Sequence, residues 1–419
     1  MRLTEILAAE WKPALGCTEP AAVAWAAAWA ASQAKGAVQQ VKLVCDPRTY
    51  KNCYAVGLPN SGHKTGILWA LALGACLTDT TLGLSSFEGI TPQVIEAAQA
   101  LLDTHRVTVD VDPKETQLRI DVTVGGAAGI GRALIEREHT CLTRVESDGR
   151  LVGGEACATD APACADHRAW LGSARIADLM ELARGVEEAD RARLREGAAM
   201  NLAVARHGVT LLPEALRPTA GQDAQTRLAR LVSAGVFARM SGEPHPVMTL
   251  AGSGNKGITV AIPVTLWGRE SGHDEARVEE ALAFACLMTA AATHHLGTLS
   301  SVCGAANAAG VGIASALVML EGGDAATVGL AVNNMVGNVA GMICDGAKIG
   351  CAMKTMTGVD SAFRAAQLAL AGIGIPDTDG IVGHDGEASL TNLGRLAQKG
   401  MADVDMEILA IMQEKLHRG

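Results

Sequence analysis

The first apolar positions of the chain follow a helical period. Between residues 3 and 11 they recur every three to four residues, at Leu3, Ile6, Leu7 and Trp11, which predicts a short helix that ends before the following proline. A second helix is predicted from Pro20 to residue 31, because proline suits the first turn of a helix and the run that follows is rich in Ala and Trp. The chain therefore opens with two helices joined by the segment ALGCTEP.

Alternating apolar and polar residues replace this pattern in the next part of the chain. Residues 41–45 and 53–57 predict two short strands, and helices are predicted at about 64–76 and 92–103. Further strands are predicted in RVTVDV, QLRIDVTV and RALIEREHTCLTRVESDGRLV, the last of which contains an SDG turn signal. We therefore expect an α+β lobe over residues 38–155 with a small mixed or antiparallel sheet.

The helical period returns at Ile176. Up to Arg239 the predicted surface is strongly charged, which is typical of a solvated helical face. Residues 281–320 contain no Asp, Glu, Lys or Arg, but Gly, Ser, Thr, His and Asn interrupt the run. That composition favours helices buried within protein over a membrane span. The last helices are predicted at about 360–372, 386–398 and 403–416.

The predicted fold class is α+β with two lobes. A chain of 419 residues is too long for one ordinary core. We expect the N-terminal helices and the Cys17 loop, residues 1–37, to pack on the helical lobe. The sheet lobe is predicted over residues 38–155, and the large helical lobe, residues 170–419, carries a cysteine cluster.

Composition narrows the classes of function. Hydrophobic residues make up 49% of the chain but aromatic residues only 3%, so the core must consist of closely packed small and aliphatic side chains. No basic tract offsets the net charge of -10, which argues against nucleic acid or an anionic membrane surface as a partner. The expected partner is a small molecule. The oligomeric state stays open, with a homodimer as one option.

The cysteines and the N-terminus bear on the cellular compartment. Eleven cysteines are scattered along the chain without the dense, regular spacing of a disulfide framework. The first residues include the acidic Glu5 and lack the uninterrupted apolar stretch of a signal peptide. We therefore expect a reducing, cytoplasmic location.

Three cysteines in the helical lobe are candidate metal ligands. Cys303 is followed after 40 residues by Cys344, and six residues separate Cys344 from Cys351. Structural zinc usually takes four ligands in two close pairs, whereas this set has one close pair and no obvious fourth member. Three thiolates on a [4Fe-4S] cluster would leave one iron open to act as a Lewis acid. The alternative is three buried core cysteines.

Two other segments carry candidate chemistry. Cys17 lies just before a predicted helix N-terminus, where partial positive charge favours a thiolate, so it is either a reactive cysteine or a buried structural thiol. The loop LPNSGHKTG presents Ser61 and His63 as polar groups around two glycines. A lone loop histidine is more often solvated than catalytic.

A glycine-rich turn at residues 252–257 is the third such segment. It matches G-x-G-x-x-G formally, but no βαβ unit and no acidic residue about 20 positions downstream accompany it. We interpret Ser253, Asn255 and Lys256 in this turn as a binding site for a carboxylate. A Schiff base of Lys256 with pyridoxal phosphate is a second enzyme hypothesis, although nothing else in the sequence calls for that cofactor.

Four segments resemble a known family. KPALGCTEPAAVAWAAA, GSGNKGI, NNMVGNVAGMICDGAKIGCAMK and GIVGHDGEASLTNL are similar to the L-cysteine desulfidase family, which is related to the α-part of iron-sulfur L-serine dehydratases. The resemblance implies a lyase that converts L-cysteine to sulfide, ammonia and pyruvate with a [4Fe-4S] cluster and no pyridoxal phosphate. It further implies that Cys303, Cys344 and Cys351 hold the cluster. Cys17 would remove the α-proton or cap the open iron at rest.

The resemblance also implies substrate-binding residues. Ser253, Asn255 and Lys256 would hold the carboxylate or the amine, with Asn338 and Asp345 as further candidates near the cysteine loop. Lys256 replaces a glutamine of the family pattern, which bears on substrate preference.

Two alternatives to α,β-elimination of L-cysteine stay open. His63 resembles the loop histidine of the serine dehydratases, so L-serine dehydration is the alternative activity. A non-enzymatic membrane or binding protein built on the small-residue helices of residues 281–344 is the alternative of another class.

Overall fold

The structure, a computed structural model, describes residues 1–154, 162–297 and 300–416. Its helices are α1 (Leu3–Glu10), α2 (Thr18–Gln33), α3 (Pro47–Cys53), α4 (Ile67–Ala75), α5 (Pro92–Asp103), α6 (Pro162–Ser173), α7 (Ile176–Arg184), α8 (Glu188–Leu211), α9 (Ala224–Met240), α10 (Gly254–Glu270), α11 (Glu275–Leu296), α12 (Ala308–Leu320), α13 (Ala325–Val339), α14 (Cys351–Leu370), α15 (Gly386–Arg395) and α16 (Val404–Leu416). Its strands are β1 (Trp11–Leu15), β2 (Val38–Cys45), β3 (Val107–Val111), β4 (Arg119–Gly126), β5 (Ile130–Glu136), β6 (Leu142–Ser147), β7 (Arg150–Gly153) and β8 (Pro246–Leu250). The predicted α+β class is confirmed.

Six strands form a mixed sheet in the order β3-β2-β4-β5-β6-β7. The β2–β3 pair is parallel and the other neighbours are antiparallel. On β4, Ile120, Val122 and Val124 are fully buried and alternate with partly exposed residues, because successive side chains of a strand point to opposite faces. Their apolar face packs against the alanine-rich helix α2, while α4 packs against β2 and β3 in the same core.

One predicted strand is wrong. Residues 53–57 were expected to extend the sheet, but Cys53 is the last residue of α3 and only an isolated bridge joins Gly57 to Thr65. The signal for α3 lies just upstream. Asp46 accepts hydrogen bonds from the amides of Arg48 and Thr49, and the intervening proline occupies the first turn, which is a strong helix start.

The second core is built mainly from helices α7 to α15, with residues of α1, α6, β1 and β8 added to it, and many of its side chains are small. Every residue of α12 is buried, and α11 and α14 pack on either side of it. Alanine and glycine allow this close approach, as the low aromatic content predicts. Within the described parts of the chain, none of the helices is both long and apolar enough to cross a membrane.

The N-terminal and C-terminal segments each pack partly in the sheet core, which differs from the prediction. Helix α1 packs in the helical core, but α2 lies in the sheet core, whereas residues 1–37 were expected to pack together on the helical lobe. Helix α16 also returns to the sheet core through Leu409, and the hydroxyl of Tyr54 donates to the carbonyl of Met412 at 3.3 Å. The chain therefore crosses between the two cores near both of its ends.

A two-stranded antiparallel sheet links the N-terminal segment to the helical core. β1 pairs with β8, with Trp11 opposite Leu250. The glycine-rich turn then leads into α10, and a Cβ at Gly257 would lie 1.9 Å from the carbonyl oxygen of Met248. Glycine is needed there because α10 packs directly on β8. The antiparallel pairing confirms that this turn is not part of a dinucleotide-binding βαβ unit.

The close packing of α2 on the sheet yields a prediction about stability. A Cβ at Gly131 would lie 1.9 Å from the carbonyl oxygen of Ala30, whereas one at Gly125 would meet nothing closer than 3.8 Å. We expect Gly131→Ala to lower the free energy of unfolding by about 1–3 kcal/mol, as overpacking usually does. Gly125→Ala should leave it unchanged or slightly raised. Chemical denaturation of both variants checks this, and equal stabilities would contradict the packing described.

Candidate active site

A cavity of about 110 Å³ lies where the two cores meet. The sheet side provides the start of α2, the end of α3 and the β5–β6 turn. The helical side provides the glycine-rich turn and both cysteine loops. Its lining includes Cys17, Thr18, Glu19, Lys51, Asn52, His139, Arg239, Ser253, Asn255, Lys256, Thr293, Cys303, Cys344 and Cys351. A cavity of about 690 Å³ lies beside it and shares Thr18, His139 and Ser300.

A short antiparallel bridge brings Cys303 and Cys344 together. Val302 pairs with Ile343 in this bridge. The amide of Cys303 donates to the carbonyl of Met342 at 2.8 Å, and the amide of Cys344 donates to the carbonyl of Ser301 at 2.7 Å. Main-chain hydrogen bonds thereby hold the two cysteines close in space although they are far apart in the sequence.

Cys351 is the first residue of α14, and it lines the same cavity. All three cysteines are free thiols. Burial and the neighbouring thiols of Cys344 and Cys351 raise the pKa of Cys303 to about 12, so the three sulfurs lie within electrostatic reach of one another. The set predicted from spacing is thus assembled in one place.

The three thiols line one cavity without converging on a single point. Among the residues that the structure describes, no three His, Cys, Asp or Glu side chains converge closely enough to hold one ion. Thiolates of an iron-sulfur cluster bind different iron atoms, so they lie farther apart than the ligands of one tetrahedral zinc. Three free thiols that line one cavity are a donor set of the chemical type that such a cluster takes.

Cys17 lies at the helix N-terminus, as predicted, but its thiol is not activated in the free protein. It is the N-cap residue of α2 and its Sγ donates to Oε2 of Glu19 at 3.0 Å. Burial and the Glu19 carboxylate raise the pKa of Cys17 well above its usual range, although Arg239 opposes them. In the free protein, burial and the nearby carboxylate thus favour the neutral thiol, and the reactive role of Cys17 stays a prediction.

Glu19 forms the centre of the polar groups around Cys17. It accepts hydrogen bonds from Thr18 at 3.0 Å and from the side-chain amide of Asn52 at 3.0 Å, as well as from Cys17. Burial alone would raise the pKa of Glu19, but the charge of His139 and these hydrogen bonds lower it. The ionised carboxylate is thus the adjacent acceptor for the Cys17 proton.

The glycine-rich turn places a buried amine in the cavity. Nζ of Lys256 donates to the carbonyl of Ala251 at 2.7 Å and to Oγ1 of Thr293 at 3.0 Å. Burial lowers the pKa of Lys256 to about 8. Ser253 and Asn255 line the same cavity, so the structure brings together all three residues predicted in this turn.

Arg239 is a site residue that the sequence analysis missed. Its guanidinium donates to Oδ1 of Asn255 at 2.8 Å and to the carbonyl of Gly16 at 2.7 Å. Its side chain is 3% exposed, and its Nε is buried without a hydrogen-bond partner. The sequence placed it at the end of a charged, solvated face, and only the tertiary contacts turn it into the cavity.

His139 is the second residue that was missed. It lies in the turn between β5 and β6 and lines both cavities. Its Nε2 is buried and has no hydrogen-bond partner. No motif marks this histidine in the sequence, because its place in the site depends on which residues distant in the sequence line the cavity with it.

Four other predicted residues do not line the cavity. Ser61 donates to the carbonyl of Leu58 at 2.6 Å and stabilises its own turn, and His63 is exposed at a φ of 63°. Asn338 is exposed near the end of α13. Asp345 forms ion pairs with Lys348 and Lys354 beside the cysteine loop.

Comparison with known proteins identifies the family. A family model described as the serine dehydratase alpha chain matches residues 89–410. The chain belongs to the serine dehydratase alpha-chain family. Over nearly their whole lengths, UPF0597 proteins are also similar to it: one from Geobacter sulfurreducens is 36% identical and covers 98% of both chains, and one from Elusimicrobium minutum is 32% identical and covers 99% of both. The family makes the cavity the candidate site of a serine dehydratase-like lyase.

The contact between Cys17 and Glu19 yields a prediction about thiol reactivity. Glu19→Gln removes a negative charge that raises the pKa of Cys17, so Cys17 in the iron-free protein should alkylate several-fold faster at neutral pH. Mass spectrometry of the peptide that contains Cys17 measures the rate. Glu279→Gln, which removes a buried acid paired with Arg191, is the control and should have no effect. A slower or unchanged rate in Glu19→Gln would contradict the electrostatic account.

Proposed function

We propose that the protein is an iron-sulfur lyase that acts on L-cysteine by α,β-elimination. The α-hydrogen and the β-sulfur leave as a proton and sulfide, and a carbon–carbon double bond forms. The resulting aminoacrylate tautomerises to an imine, which one water hydrolyses to pyruvate and ammonia. The observation that carries the proposal is the single cavity that joins three free cysteines, Cys17 and a buried amine, in a chain of the serine dehydratase alpha-chain family.

Cys303, Cys344 and Cys351 are the proposed ligands of a [4Fe-4S] cluster. Their number, their free thiols and the cavity that they share support this assignment. When bound, a cluster with one iron free of protein thiolate would supply a Lewis acid that polarises the leaving group.

The cations of the cavity are the proposed carboxylate-binding groups. Lys256 and Arg239 are both buried beside Asn255, and the Nε of Arg239 is an N–H donor without a partner. A buried cation binds a carboxylate strongly because few waters compete for it. Ser253 and Asn255 would complete the recognition of the carboxylate or the amine.

Cys17 and Glu19 are the proposed acceptors of the α-proton. The thiol donates to Glu19 in the free site, so passage of this proton to the carboxylate would leave a thiolate able to remove the α-hydrogen. The alternative role of Cys17 is a resting ligand of the open iron. A Cys17→Ala variant separates the two, because only loss of a ligand would change the spectrum of the resting cluster.

L-Serine dehydration is the second candidate activity. The matching family model favours it by its description, and loss of water from serine needs the same α-proton acceptor and carboxylate site. The ratio of kcat/KM for L-cysteine and L-serine, measured anaerobically on one preparation, decides between them. We expect L-cysteine to be the better substrate.

The first prediction of the proposal concerns iron. Anaerobic reconstitution should give a brown protein that contains iron and inorganic sulfide and that releases sulfide and pyruvate from L-cysteine. Cys344→Ser and Cys351→Ser should lose iron and activity together, whereas Cys17→Ala should keep iron and lose turnover. Cys76→Ser, a thiol outside this cavity, should keep both. A reconstituted protein without iron would refute the proposal.

The second prediction concerns substrate binding. Lys256→Gln should keep its iron but raise KM about tenfold or more, because a charge-assisted hydrogen bond contributes about 1.5–3 kcal/mol. Steady-state kinetics with L-cysteine and L-serine measure this change and any change of preference between them. Lys64→Gln, which alters a lysine outside the cavity that lies over the ring of Trp69, is the control. An unchanged KM in Lys256→Gln would show that the amine is peripheral.

A further inference from the structure

A buried lysine from the sheet side bonds the main chain of one cysteine loop. Lys51, on α3, is 2% exposed, and its Nζ donates to the carbonyl oxygen of Cys344 at 2.9 Å. The same ammonium forms an ion pair with Asp405 on α16. Three segments that are far apart in the sequence therefore meet at one nitrogen atom.

Asp405 connects this lysine to the second cysteine loop. Its carboxylate accepts from Nε of Arg48 at 3.1 Å and lies 3.4 Å from Oγ of Ser301, whose one proton also has the carbonyl of Met401 as an acceptor at 3.1 Å. The carbonyl of Ser301 in turn accepts from the amide of Cys344. Both main-chain polar groups of Cys344 are thus bonded to this network, the carbonyl by Lys51 and the amide by Ser301.

The cysteine loop also packs on the backbone of Lys51. A Cβ at Gly346 would lie 2.2 Å from the carbonyl oxygen of Lys51, and Gly346 has a φ of +93°. A side chain at this position would clash and would be strained. The turn after Cys344 is therefore shaped to fit α3, so its position depends on the sheet core as well as on the helical core.

We propose that Lys51 and Asp405 are positioning residues that hold the main chain of Cys344, and that the C-terminal helix α16 is part of the candidate iron site. This inference rests on the proposed function. Buried ion pairs contribute little net stability, since well-packed apolar residues in their place are often neutral or stabilising. The pair between Lys51 and Asp405 instead fixes the main-chain carbonyl of Cys344, the residue whose side chain is a proposed ligand.

The test removes both charges and keeps the bulk, in the double variant Lys51→Met/Asp405→Leu. Purified protein is reconstituted anaerobically, and the rate of iron release to a chelator is followed together with the electron paramagnetic resonance of the reduced cluster. We expect release at least about tenfold faster than in the wild type and an altered resonance, while the denaturant midpoint of the iron-free protein changes little. The control is Arg191→Met/Glu279→Leu, at a buried ion pair of the helical core.

A second measurement does not require iron. Amide hydrogen exchange in the iron-free Lys51→Met variant should accelerate in the peptide that contains Cys344, because its carbonyl loses its donor, and should not accelerate in the control. Asp405 keeps Arg48 and Ser301 as partners in this variant, so no unpaired charge is created.

The outcomes separate the two proposals. Wild-type protein that binds no iron refutes the proposed function and this inference with it. Wild-type protein that holds iron, with unchanged release and unchanged exchange in the Lys51 variants, refutes only the positioning role. Faster release that merely parallels a loss of global stability, to the same extent as in the control, also refutes the positioning role.

Discussion

The bridge between residues 301–303 and 342–344 is the contact on which the candidate site depends. Two main-chain hydrogen bonds and the pairing of Val302 with Ile343 set the separation of Cys303 and Cys344. Main-chain bonds fix a position more firmly than contacts between flexible side chains do. Helix α14 then brings Cys351 to the same cavity. Without this bridge, two candidate ligands with 40 residues between them in the sequence would have no common geometry.

Residues from both cores line the site, and close packing fixes the positions of the elements that carry them. α2 crosses the sheet at Gly131, and α10 packs on β8 at Gly257; at both positions a Cβ would lie 1.9 Å from a carbonyl oxygen. Because interiors are packed densely, such contacts fix the relative positions of the elements involved. These glycines therefore fix α2, which begins beside Cys17, on the sheet and α10, which carries Lys256, on β8.

Buried charges give the cavity its chemical character. Lys256 and Arg239 supply positive charge on the helical side, while Glu19 supplies negative charge beside Cys17. In a site largely shielded from water these charges act strongly on each other and on a bound zwitterion. In the free protein, burial and Glu19 raise the pKa of Cys17, and the charge of Arg239 opposes them.

The sequence alone determined the α+β class, most of the helices and the three candidate ligand cysteines, because periodicity, small-residue composition and cysteine spacing are local properties. It also placed Cys17 before a helix and Lys256 in a glycine-rich turn. Tertiary structure alone decided the parts played by Arg239, His139, Lys51 and Asp405, which no motif marks, and it left His63 and Ser61 outside the cavity. Whether a charged residue is solvated or buried depends on what packs against it, and that partner is here far away in the sequence: Arg239 bonds to Gly16, and Lys51 bonds to Cys344 and Asp405.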